Sequence, residues 1–356
     1  MTTYLLTGGG TAGHVNPLLA VADQLRADEP ESSILVLGTR EGLEARLVPE
    51  RGYELITIEK LPFPRRPNVD ALRFLPRFVR AVREVGRVMA ERDVDVVVGF
   101  GGYASAPAYL AVRRTGRPLI IHEQNAKPGM ANKLGARITR HVGVAFEHTP
   151  LRHGQLVGMP LRHEIETLDR TARRAEAIEF FGLDPDRPTV LVTGGSLGAR
   201  RINQTVTASA EAIVEAGWQV LHVTGSRDRV ADAGGEHYRV IEYCDRMDLA
   251  LAAADFAIAR AGASTVSEFA ALGVGALYVP YPVGNGEQAI NAREVCAAGG
   301  GRLVDDEAFT PDYVRHSLVP FLTDPDNARV MGDLAATTGV RDGARRMVAL
   351  IRSALR

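Results

Sequence analysis

Short apolar runs recur along the chain, and the stretches between them place their apolar residues at helical spacing. The runs cover residues 4–7, 34–37, 94–99, 119–122 and 142–145, then 190–193, 220–223, 240–241, 256–259 and 276–279. Alternation of this kind predicts parallel sheets covered by helices. The first helical pattern has clear boundary signals. Asn16 can cap it, Pro17 suits its first turn, and Leu18, Val21, Ala22 and Leu25 share one apolar face.

The pattern opens the same way twice. Residues 4–14 read YLLTGGGTAGH and residues 189–200 read TVLVTGGSLGAR. A glycine-rich turn from strand into helix gathers bare backbone N–H groups at a positive helix end, which suits a phosphate. Two copies half a chain apart predict two similar nucleotide-type domains facing one another. The repeat continues: VDVVVGFGGYASAPAYLA parallels ADFAIARAGASTVSEFAALG, and LIIHEQN parallels ALYVPYPVGNGEQ. A boundary near Gly158-Met159-Pro160 separates a first domain, 1–158, from a second, 159–335. The last helices, from about Asp326, are expected to cross back, with 336–356 packing on the first domain.

Composition narrows the class. At 356 residues the chain exceeds one comfortable core. Its net charge of −1 gives no bulk reason for a nucleic-acid partner. Cys244 and Cys296 have no Cys or His at metal-ligand spacing, so neither a disulfide framework nor a zinc site is expected, and a reducing compartment fits. No apolar run approaches the roughly 20 residues of a membrane span. The expectation is a cytosolic protein whose membrane contact is peripheral.

Gly8, Gly10 and Gly13 satisfy G-x-G-x-x-G, yet His14 follows the third glycine and no acidic residue closes the second strand; Glu41 is the nearest. These glycines either contact a phosphate or acceptor, or merely permit a tight turn. His14 either accepts a proton from an attacking hydroxyl or only bonds the turn. Gly194, Gly195, Ser196 and Gly198 form a second loop that is no Walker loop, since no Gly-Lys-Ser/Thr follows. Arg162, after the expected hinge, could reach a diphosphate there. Thr265-Val-Ser-Glu268 reads locally as a capping box, although its carboxylate could also receive ribose hydroxyls. Residues 72–89 form a basic amphipathic pattern, with Arg73, Arg77, Arg80, Arg83 and Arg87 on one side and Leu75, Phe78, Val82 and Met89 opposite. Such a helix packs on a sheet with its arginines in water, or meets anionic lipid.

Taken in order, GGGTAGHVNPLLAVA, GFGGYASAP, HEQNAKPGMANK, GGSLGARRIN, RAGASTVSEFAALG and VPYPVGNGEQAINA resemble the MurG family within glycosyltransferase family 28, over about residues 4–304. The resemblance implies an α/β, GT-B fold: two Rossmann-like domains with parallel sheets facing across a cleft. It implies inverting transfer of GlcNAc from UDP-GlcNAc to the 4-hydroxyl of MurNAc in lipid I, giving lipid II and UDP, with no cofactor and no metal. UDP-GlcNAc, lipid I, an anionic membrane surface and cell-wall and division proteins are the partners implied. Thr11, Ala12 and Gly13 match positions touching the donor and acceptor sides; Gly101, Gly102 and Tyr103 fall on the acceptor and diphosphate side. Asn125 matches a GlcNAc contact, and Arg162 and Ser196 match diphosphate contacts. Cys244 lies where a backbone group reads uracil. Ala263, Ser264 and Thr265 line the nucleotide, Glu268 matches the ribose ligand and Gln288 a sugar-hydroxyl contact. Ala12 departs from a commoner glycine, and residues 284–287 from a segment with His and Asp. The rival readings are a non-hydrolysing UDP-GlcNAc 2-epimerase, an inactive scaffold and a nicotinamide-dependent oxidoreductase.

Overall fold

The computed structural model describes residues 1–63, 69–195, 198–226, 235–283 and 286–355, the side chains of 69–73 and 325 excepted. Two compact units emerge: Met1–Arg162 with Asp342–Arg356, and His163–Arg341.

The first unit holds a parallel sheet of β1 (Thr3–Thr7), β2 (Ser33–Gly38), β3 (Glu54–Thr57), β4 (Val96–Gly99), β5 (Leu119–Glu123), β6 (His141–Val144) and β7 (Gly154–Leu156). Their order is β3-β2-β1-β4-β5-β6-β7. Residue alternation divides the core in two. Tyr4, Leu6, Val36, Val96, Val98 and Ile120 pack with Leu18, Val21 and Leu25 of the helix Ala12–Asp28 and with Met347 and Ile351 of the last helix, Gly343–Ala354. Leu5, Leu35, Leu37, Val97 and Ile121 face Val82, Val85 and Met89 of the helix Val69–Glu91 and Tyr109 of Ser105–Thr115.

The second unit repeats the plan with β8 (Thr189–Thr193), β9 (Gln219–Val223), β10 (Tyr238–Ile241), β11 (Phe256–Ala259), β12 (Gly275–Tyr278) and β13 (Gly301–Leu303), ordered β10-β9-β8-β11-β12-β13. In both sheets the strand order reverses beside the unit's first strand. The loops after β1 and β4, and those after β8 and β11, therefore diverge at a topological switch point, where open α/β sheets bind ligands.

Some expectations differ from this structure. The first helix begins at Ala12 with Thr11 as its N-cap, so Asn16 is no cap and Pro17 sits in the second turn. The glycine loop ends at Gly10, and His14 N–H already closes on the Thr11 carbonyl at 3.1 Å. The helix Ala263–Leu272 begins after Gly262, which puts Thr265 at its third position. The capping box therefore does not form, because that motif needs Thr at the N-cap. The helix Pro325–Ala336 stays in the second unit, where Ala328 and Met331 join its core; only Asp342–Arg356 returns to the first. Leu75 is 65% exposed, not packed like Val82 two turns further on: the apolar stripe of the basic helix runs past the sheet that covers it.

Candidate active site

In the first unit the two switch-point loops abut. Gly102, at φ 88°, lies so close to Gly9 that a Cβ would stand 2.6 Å from the Gly9 carbonyl oxygen. A Cβ on Gly101 (φ 80°) would stand 3.3 Å from both His14 Cδ2 and Asn132 Nδ2. The half-buried His14 thus sits in the first turn of its helix, against the loop after β4. Its Nδ1 lies 2.9 Å from Thr11 Oγ1. Burial pulls its pKa down to about 4, against an opposing pull from Glu44. Ala12 and Gly13 follow Thr11 in the same helical turn, and Tyr103 is 43% exposed, with Lys60 Nζ 5.7 Å from its ring centre.

Sequence reasoning passed over the carboxylate behind this loop. Glu44, wholly buried, accepts from Gly10 N–H at 2.8 Å, Thr39 N–H at 2.9 Å and the Thr39 hydroxyl at 2.8 Å. Its place shortly after β2 is where a dinucleotide-binding fold carries its ribose-binding acid, yet this acid turns inward. The available signal was the glycines at 9, 38 and 42, each too near Glu44 to carry a Cβ.

The loop after β5 is organised by a second buried carboxylate. Glu123 accepts from the backbone N–H groups of Asn125 (3.0 Å) and Gly129 (2.9 Å) and from Asn132 Nδ2 (3.0 Å). Desolvation nonetheless raises its pKa. Asn132 Oδ1 receives the Tyr109 hydroxyl at 2.8 Å, so Asn125 stands on a fully buried polar platform. Arg162 is the last residue of this unit, directly before the short helix His163–Glu166.

In the second unit Gly195 (φ 81°) donates its N–H to Thr193 Oγ1 at 3.2 Å, and Gly198 N–H meets the Gly195 carbonyl at 3.0 Å. The helix Arg200–Thr207 follows. Ser196 lies outside the described residues, as do Gly284 and Asn285 of the late loop. Ala263, Ser264 and Thr265 form the first turn after β11, whose N–H groups lack intrahelical acceptors. Glu268, half-buried, lies in the second turn of that helix. Gln288, in the helix Glu287–Asn291, accepts from Tyr281 N–H at 2.9 Å, which ties it to the end of β12. The half-buried Cys244 lines a recess of about 220 Å³ with Phe180, Phe181, Ile241, Tyr243 and Arg246.

Arg77 of the basic helix pairs with Glu59, while Arg80 is exposed; the Arg73 side chain lies outside the described residues. Phe63 (56% exposed) meets Phe74 edge to face with ring centres 5.1 Å apart, and Phe74 stacks on Phe78 at 5.3 Å. No described helix is long and apolar enough to cross a membrane.

Two parallel α/β units with glycine loops at their switch points are the architecture of GT-B glycosyltransferases. The family models agree: the glycosyltransferase family 28 N-terminal domain matches residues 4–144, and the C-terminal domain matches 189–347. A Leifsonia xyli subsp. xyli protein named UDP-N-acetylglucosamine–N-acetylmuramyl-(pentapeptide) pyrophosphoryl-undecaprenol N-acetylglucosamine transferase is 64% identical over 100% of this chain and 99% of its own. A Streptomyces coelicolor protein of the same name is 46% identical over 99% and 98%. The crystal structure of Acinetobacter baumannii MurG matches with a TM-score of 0.82 at 28% identity, covering 99% of this chain and 100% of that one. The calicheamicin glycosyltransferase CalG4 shares the fold alone, at TM-score 0.67 and 17% identity. The chain belongs to glycosyltransferase family 28 and is a glycosyltransferase.

Proposed function

We propose that the chain transfers GlcNAc from UDP-GlcNAc to the 4-hydroxyl of MurNAc in undecaprenyl-pyrophosphoryl-MurNAc-pentapeptide (lipid I), with inversion. The products are lipid II and UDP, within peptidoglycan synthesis. The observation that carries this reading is the end-to-end match to relatives bearing that transferase name.

In this mechanism the acceptor oxygen forms its bond to C1 of GlcNAc as the bond from C1 to the diphosphate oxygen breaks, and UDP leaves with the electron pair. The hydroxyl proton passes to His14. With Nδ1–H donated to Thr11 Oγ1, Nε2 is the accepting nitrogen, on the side of the ring near Gly101. Burial keeps the ring neutral at pH 7, the form that can accept a proton. Thr11, Ala12 and Gly13 touch the donor and acceptor sides, Gly101, Gly102 and Tyr103 lie on the acceptor and diphosphate side, and Asn125 contacts GlcNAc. The Ser196 loop of the second unit and Arg162 stabilise the charge developing on UDP. The Cys244 backbone and the turn from Ala263 to Thr265 hold the nucleotide, Glu268 takes the ribose hydroxyls, and Gln288 contacts the sugar.

The protein works at the cytoplasmic face of the cell membrane. The exposed Phe63 and Leu75 supply apolar contact there, and the basic helix supplies attraction of about 1 kcal/mol per cation near anionic lipid. Charge reversal at Arg73, Arg77 and Arg80 should release the protein from anionic vesicles; unchanged binding would remove this surface from the account. The reaction is tested with labelled UDP-GlcNAc and a lipid I analogue, where labelled disaccharide-lipid is expected. Conversion to UDP-ManNAc without acceptor would replace the reading by the epimerase.

A further inference from the structure

We propose that Glu44 is a positioning residue for the transfer step: its buried carboxylate holds Gly10 and, through that loop, the first helical turn that carries His14. The inference rests on the reading above that the first glycine loop serves the transfer.

Glu44 opens the short helix Glu44–Glu50, and a charged side chain there would ordinarily lie in water. Instead it is fully buried, and its three hydrogen bonds reach across to loop backbone or to the buried Thr39. The surroundings are built for it. A Cβ at Gly9, Gly38 or Gly42 would collide with this one side chain, so both the loop after β1 and the connection after β2 lack side chains where the carboxyl group lies. Gly10 itself has φ 93°, a left-handed conformation, and needs a fixed partner for its N–H if the loop is to keep one shape.

The consequence reaches the site directly. Thr11 follows Gly10 and caps the first helix, and the Thr11 hydroxyl holds His14 Nδ1. Gly9, the residue before, packs on Gly102. Releasing Gly10 would therefore loosen the His14 ring and its contact with the loop after β4 together. Glu44 touches neither substrate on this reading and acts through the backbone.

The test uses the full-length protein with E44Q, H14A and the double variant. Glutamine keeps the shape but offers one accepting oxygen in place of two. Expected for E44Q are a fall in kcat of at least tenfold, a KM for UDP-GlcNAc within twofold of the parent, and less than threefold further loss when added to H14A. A kcat within twofold of the parent would overturn the proposal. So would equal losses in both backgrounds, or a KM for UDP-GlcNAc that rises in step with the fall in kcat. Equal losses overturn the proposal only where H14A is itself impaired. A near-parental H14A removes the base assignment alone, and a tenfold fall in kcat for E44Q with an unchanged KM for UDP-GlcNAc then still supports Glu44 as the group that holds the first turn. Should E44Q fail to fold, Thr39→Val, which removes one partner of the carboxylate, must lower kcat at least threefold, and parental kcat would reject the idea.

Discussion

The two glycine loops have nearly the same sequence and are held in opposite ways. In the first, Gly10 N–H is taken by the Glu44 carboxylate; in the second, Gly195 and Gly198 N–H groups are met by the neutral oxygens of Thr193 and Gly195. A carboxylate beside a phosphate is unfavourable: two like charges 4 Å apart repel by about 4 kcal/mol at an effective dielectric of 20. A loop whose N–H already faces an acid is poorly suited to a diphosphate. One residue outside the turn thus makes nearly the same sequence more or less suited to a phosphate. The comparison also accounts for the G-x-G-x-x-G match in the first loop without a dinucleotide, since the acid after β2 is committed to the loop.

Crowding separates the loops further. Gly198 has φ 79°, and a Cβ there would collide with the Thr224 carbonyl, whereas a methyl group on Gly10 would meet no atom within 4 Å. Gly198→Ala should cost at least about 3 kcal/mol in denaturant unfolding, from strain plus overlap. Gly10→Ala should cost about 1–3 kcal/mol, from backbone strain alone. Equal costs at the two positions would break the comparison.

Acid should act alike on the two sheets, with His14 adding a further ring of lowered pKa outside the sheet of the first unit. Each sheet carries one fully buried histidine, His122 in the first and His222 in the second, and burial pulls both down to about 4. The unfolded chain binds protons at these rings from about pH 6.5, the folded protein only near 4, so stability falls as pH drops across that window. Each ring accounts for up to about 3 kcal/mol of that loss. Replacing either by Gln should flatten the acid limb of unfolding free energy against pH by a similar amount. A limb as steep as the parent's in one variant would show that its ring is not neutral in the fold.

The inner strands were legible because they are buried on both faces and read as apolar runs. Of the four edge strands, β10 was legible through Val240 and Ile241, whereas β3, β7 and β13 were not: β7 is exposed throughout, β13 is three residues long and β3 carries only Leu55 and Ile56 between polar residues. The start of the first helix was hidden by Pro17, which normally marks a first turn and here sits inside the helix. His14, Asn125 and Glu268 were named from motifs, while Glu44 resembled any acid at the start of a surface helix. Only the packing of Gly9, Gly38 and Gly42 around it sets it apart.

The division of labour between the loops can be measured through UDP binding. Calorimetric titration of UDP into the parent, His14→Ala and Glu268→Gln should give His14→Ala a Kd within twofold of the parent, although its turnover with a lipid I analogue falls by about 10²–10⁴. Glu268→Gln should bind UDP at least tenfold more weakly. Weakened UDP binding in His14→Ala, or parental binding in Glu268→Gln, would contradict the assignment of the acceptor hydroxyl to the first loop and of UDP to the second unit.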